Sequence, residues 1–148
     1  MILGIDPGKN SGLAIVVRGK LLSVQTLNPQ EILETIEETY EKLELYEELV
    51  VVVEDSRLQP IFSRGTNARA AGRIARSVGM IDGQCRDIED SCKRLGIGFL
   101  GISPKGKGKK LNAEQINKMT GWDRKSNQHE RDAVQVAWPY RNLKKLVL

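Results

Sequence analysis

Apolar positions along the chain fall into short dense runs and longer periodic stretches. Residues 2–6 form a brief apolar run that ends in Asp6. "GLAIVVRG" (12–19) and "LLSVQTL" (21–27) alternate in character and predict a hairpin turning at Gly19-Lys20. Pro29 suits a helix start, and Ile32, Ile36, Tyr40 and Leu43 recur at helical spacing through about residue 47. "LVVVVED" (49–55) has four consecutive valines, which predicts a strand covered on both faces. "SRLQPIFSRGTN" (56–67) reads as a loop. From 68 to 95 a stripe of Ile74, Val78, Ile81, Cys85, Ile88, Cys92 and Leu95 alternates steps of four and three, the mark of a long amphipathic helix. "IGFLGI" (97–102) predicts a fifth strand, and "SPKGKGKK" a basic loop. Asn112 with Gln115, and Asn127 with Glu130, have capping-box spacing. They predict a short helix stopping near Gly121 and a last helix to about Trp138, just before Pro139.

Three adjacent strands followed by alternating helices and strands predict a mixed, five-stranded α/β sheet flanked by helices. A length of 148 residues fits one domain over 1–148. No apolar run is long enough for a membrane helix, and no basic-then-apolar leader opens the chain. Cys85 and Cys92 have neither a zinc-site spacing nor an export context, so reduced thiols in a cytoplasmic protein are expected. The net charge of +4 hides an asymmetry. Residues 1–55 hold 4 Lys/Arg against 11 Asp/Glu, whereas residues 56–148 hold 19 against 8. A basic half of this kind suits a polyanion, and nucleic acid is the natural partner.

Three acidic positions stand out. Asp6 ends the first strand, Glu54 ends the valine strand, and Asp132 lies in the first turns of the last helix with His129 three residues earlier. With the first and fourth strands parallel neighbours, Asp6 and Glu54 share the carboxyl edge of the sheet, where ligand sites of open α/β sheets gather. Carboxylates clustered in a cleft raise one another's pKa values and require a counter-charge. Oxygen-rich sites favour Mg²⁺ or Mn²⁺. Two such ions can clamp the attacking and leaving oxygens of a phosphodiester. Asp55 stands next to Glu54, and alternation lets only one of the two face Asp6.

"ILGIDPGKNSGLAIV", the Glu that ends "VVVVE", and "HERDAVQVAW" resemble the three motifs of the RuvC family of Holliday-junction resolvases. The resemblance spans essentially the whole chain. It implies a ribonuclease H-like fold and a homodimer that cuts branched DNA with Mg²⁺ or Mn²⁺, two ions per site. It also implies Asp6, Glu54, His129 and Asp132 as the catalytic, metal-binding set, and selects Glu54 over Asp55. The stretch after Glu54 departs from the commoner bacterial pattern, and the chain is short. Both features resemble divergent phage-type members. A non-catalytic junction binder and a ribonuclease acting on RNA–DNA hybrids are the rival expectations.

The expected DNA contacts are spread over three segments. Phe62, between Arg57 and Arg64, can stack on an unpaired base or fold back onto the core. Arg69, Arg73 and Arg76 recur along one side of the long helix and can track phosphates or simply solvate that helix face. Lys105, Lys107, Lys109 and Lys110 alternate with glycines that let the backbone approach a phosphate. "GISPKGK" (101–107) begins like a phosphate-binding GxxxxGK loop, but Gly108 stands where Ser or Thr must bind Mg²⁺. An ATPase is therefore rejected, and no nucleotide cofactor is expected.

Overall fold

The computed structural model describes residues 1–45, 47–59 and 68–143. Strands β1 (Ile2–Asp6), β2 (Ser11–Val17), β3 (Lys20–Leu27), β4 (Val50–Glu54) and β5 (Gly98–Ile102) form one sheet in the order β3-β2-β1-β4-β5. The pairs β1/β2 and β2/β3 are antiparallel, while β1/β4 and β4/β5 are parallel. The β2–β3 turn is centred on Arg18 and Gly19, both at positive φ, one residue before the expected Gly19-Lys20. Two successive left-handed residues match the twist of a hairpin, and glycine takes that backbone without strain.

Helices α1 (Pro29–Glu41), α2 (Ala68–Leu95), α3 (Ala113–Thr120) and α4 (Gln128–Ala137) cover the sheet. Capping boxes at Asn28/Glu31 and Asn112/Gln115 satisfy the first amides of α1 and α3. Asn127 caps α4 by accepting from the Glu130 amide at 2.9 Å. The helix α1 is shorter than its apolar spacing predicts. It stops at Glu41, and Tyr40 is left exposed. Among the described residues no helix is long and apolar enough to cross a membrane.

Alternation along the strands splits the core in two. Leu3, Ile5, Val51 and Val53 face α1 and α2, packing with Ile32, Ile36, Cys85, Ile88 and Cys92. Ile2, Val50 and Val52 face the other way, toward Ile116, Ala133, Val134 and Ala137 of α3 and α4. Only the second half of the α2 stripe is buried against the sheet, and Ile74 in the first half is exposed. The side of the sheet under α4 carries the candidate site.

Close approach of α4 depends on two glycines. A Cβ on Gly4 would lie 2.5 Å from the Ala137 Cβ, and one on Gly12 would lie 1.8 Å from the His129 carbonyl oxygen. Gly12 pairs directly with Asp6 across β1 and β2. The first turn of α4 is thereby seated at the edge where Asp6 emerges.

Candidate active site

In the β1/β4 register Ile5 lies level with Val53, so the next residues, Asp6 and Glu54, lie side by side at the carboxyl edge. Both fall on the α4 side, one step out of phase with Ile5 and Val53. Helix α4 brings Asp132, whose side chain is 4% exposed, over the same edge. The turn behind Asp6 is pinned by the Ser11 hydroxyl, which donates to the Gly8 carbonyl at 2.9 Å and accepts from the Gly8 amide at 3.2 Å. Gln84 of α2 donates to the same carbonyl at 3.1 Å. The strand thus finishes on a carboxylate held in place from behind.

A cation already sits between these carboxylates. The Lys107 ammonium donates to Glu54 Oε2 at 2.5 Å and lies 3.8 Å from Asp132 Oδ1, with the lysine side chain only 7% exposed. It comes from the turn after β5, which runs parallel to β4 and so delivers its following residues to the same edge. Lys110 approaches Asp132 Oδ2 at 3.3 Å from the exposed side. Gln128 donates to Asp132 Oδ1 at 2.7 Å, and its own carbonyl accepts from Arg131.

Burial pushes the Asp6 carboxyl up to about 7. Lys107 pulls against this rise, while Glu54, Asp132 and a hydrogen bond shared with Glu54 add to it. Asp6 and Glu54 are neighbours at the strand ends, and Lys107 links Glu54 to Asp132. Among the described residues no three His, Cys, Asp or Glu side chains are placed to hold one metal ion together. The donors have the right chemistry for a hard divalent cation, but they are arranged around an ammonium.

A stability effect follows from Asp6. Its folded pKa lies above the ordinary carboxyl value of 3.8, so the stabilisation by the bound proton is fully present below 3.8. The benefit is lost as pH rises through about 7. In EDTA, the stability of the wild type relative to Asp6→Asn is expected to fall by about 2 kcal/mol between pH 5 and 8, measured by denaturant unfolding. A difference independent of pH would contradict the assigned environment.

The remaining expected site residues are distributed as follows. His129 is exposed in the first turn of α4, and among the described residues its side chain makes no hydrogen bond or ion pair. The side chain in contact with Asp132 is that of Gln128, four residues before it, rather than of His129 at three. Asp55 is buried on the opposite side of the sheet, where it accepts from the Arg57 amide at 3.0 Å, Nε at 2.9 Å and Nη2 at 2.7 Å. Arg57 also donates to Glu89 of α2 at 2.9 Å, and these bonds hold the Asp55 carboxyl below its ordinary value. The expected DNA contact at Arg57 is thus a cation already neutralised by two carboxylates. Arg57→Ala would leave Asp55 buried without its partner and is expected to cost ~3 kcal/mol in denaturant unfolding. A cost near zero would show that water replaces the guanidinium.

Arg69, Arg73 and Arg76 are exposed on α2, as are Lys105, Lys109 and Lys110 on the basic loop. Phe62 and Arg64 lie outside the described residues. Sequence reasoning missed Gln135. This buried side chain donates to the carbonyls of Lys109 at 2.8 Å and Lys107 at 3.5 Å, and accepts from the Leu111 amide at 3.2 Å. A glutamine inside the apolar run "AVQVA" was the available signal.

Neither a protein-family model nor a curated protein matches the sequence. Among solved structures, the chain is similar to "T. thermophilus RuvC in complex with Holliday junction substrate". The match has a TM-score of 0.56 and 18% identity, and covers 94% of this chain and 90% of that one. With the strand order β3-β2-β1-β4-β5 and the helices on both faces, this likeness establishes that the chain has the ribonuclease H-like fold found in RuvC.

Proposed function

We propose that this protein is a metal-dependent endonuclease that cuts phosphodiester bonds in branched DNA, with the four-way junction as its principal substrate. The observation that carries the reading is the buried Lys107 ammonium lying between Glu54 and Asp132 at the carboxyl edge of this fold, where Asp6 ends the neighbouring strand. The likeness to a RuvC solved with a Holliday junction supports the choice of substrate. The departures after Glu54 support a divergent, phage-type branch.

Asp6, Glu54 and Asp132 would hold Mg²⁺ or Mn²⁺, two ions per site, with exposed His129 as a further ligand. When bound, such ions polarise the scissile phosphate and make a water nucleophilic at neutral pH. The protein's own residues do the rest. Gln128 and Arg131 orient Asp132. Lys105, Lys109 and Lys110, with Arg69, Arg73 and Arg76, would grip phosphates. Such contacts add affinity without base specificity. A homodimer through the first half of α2, where Ile74 and Met80 are exposed, would place two sites symmetrically for paired cuts.

A non-catalytic junction binder is the second reading, and Lys107 seated among the carboxylates is the observation that favours it. One comparison decides between them. Four-way junction, flap and RNA–DNA hybrid are each incubated with the protein in Mg²⁺, Mn²⁺ or EDTA. The nuclease reading expects nicks in the branched DNAs with either ion and none in EDTA. Junction binding without nicking under any condition establishes the binder, and preferential cutting of the hybrid makes the protein a ribonuclease.

A further inference from the structure

Lys107 is built into the carboxylate cluster rather than resting on it. Its side chain is nearly as buried as that of Asp132, at 7% against 4% exposure. Lys105, Lys109 and Lys110 around it are exposed. The backbone that carries it is fixed by Gln135, one turn beyond Asp132, which bonds the loop at Lys107, Lys109 and Leu111. The helix that supplies a carboxylate therefore also positions the lysine that neutralises it. Gly106 and Gly108 flank Lys107, and a Cβ at either would meet nothing within 4 Å, so neither neighbour packs against the lysine.

We propose that Lys107 holds the place of a divalent cation in the DNA-free protein, so that loading of metal requires its ammonium to leave Glu54 and Asp132. This rests on the metal-site reading above. The ammonium hydrogen-bonded to Glu54 and set beside Asp132 occupies the space and the oxygen lone pairs that a divalent ion at that spot would use, and the two cations would repel at contact distance. Lys107 thus keeps three clustered carboxylates from repelling one another while no metal is bound. It also sets a threshold for metal entry, and Gln135 acts as a positioning residue for it.

The test is Mn²⁺ binding to DNA-free protein, with free ion counted by electron paramagnetic resonance and the melting temperature followed in parallel. Lys107→Met is expected to bind Mn²⁺ at least about tenfold tighter than the wild type, and to gain more in melting temperature from it. Gln135→Leu keeps the lysine but frees its loop, and is expected to tighten binding by a smaller factor. It serves as the independent variant should Lys107→Met fail to fold. Equal or weaker Mn²⁺ affinity in folded Lys107→Met, or in folded Gln135→Leu where Lys107→Met does not fold, overturns the placeholder and leaves the metal site standing. No Mn²⁺ binding by the wild type or either variant at millimolar concentration overturns both.

Discussion

Asp6→Asn is expected to lower junction cleavage in Mg²⁺ at least about a thousandfold, an effect of ~4 kcal/mol on the barrier, while junction binding changes little. Asparagine keeps the size of aspartate but removes its charge and one anionic oxygen. Asp6 lies beside Glu54 at the strand ends, and the negative charges of Glu54 and Asp132 both help to raise its pKa. The same substitution removes the group whose burial raises its pKa to about 7. The variant should therefore be no less stable than the wild type at pH 8 without metal, which separates loss of chemistry from loss of fold. Quantitative nicking and gel-shift assays on one junction measure both properties. A variant that cleaves at near the wild-type rate would remove Asp6 from the chemistry.

Gly12→Ala is expected to be the most damaging conservative change to the fold around the site. The added Cβ would lie 1.8 Å from the His129 carbonyl oxygen, 2.5 Å from its carbon and 3.1 Å from the Ala133 Cβ. The atoms it meets are mainly backbone, so no rotamer change relieves the clash, and the first turns of α4 have to move. Overpacking of this kind costs about 3 kcal/mol or more. Because α4 carries Asp132, a shift of about 1 Å also displaces a carboxylate of the proposed site, and a loss of about a hundredfold in cleavage is expected beyond the loss of stability. Denaturant unfolding and cleavage by the folded fraction measure the two parts. Wild-type stability in Gly12→Ala would mean that α4 lies farther from β2 than described.

The part of this site that local pattern specifies was legible in the sequence. Four consecutive valines marked β4, and strand alternation made Glu54 and Asp55 alternatives on opposite sides. What chooses between them physically is the register of β4 against β1 and the capture of Asp55 by Arg57, two residues on. Register is a long-range property, and the resemblance rather than any local signal supplied that choice. Arg57 read as a DNA contact although Asp55 stands two residues before it, because its second partner, Glu89 of α2, meets it only in the folded chain.

Lys107 was grouped with its neighbours for the same reason. Composition makes four nearby lysines equivalent, whereas the crossing of the β5–α3 loop over the sheet edge buries one of them among carboxylates and leaves the others exposed. The α1 stripe overran at Leu43, which packs against the core from beyond the end of the helix at Glu41 and so keeps a helical spacing without helical backbone.

The central claim is that Asp6, Glu54 and Asp132 share bound divalent metal. Anomalous diffraction from crystals soaked in millimolar Mn²⁺ tests it most directly. A manganese peak among these three side chains is expected, with the Lys107 ammonium moved off Glu54. An empty map at the carboxylates, with Lys107 still seated between Glu54 and Asp132 at saturating Mn²⁺, would contradict it.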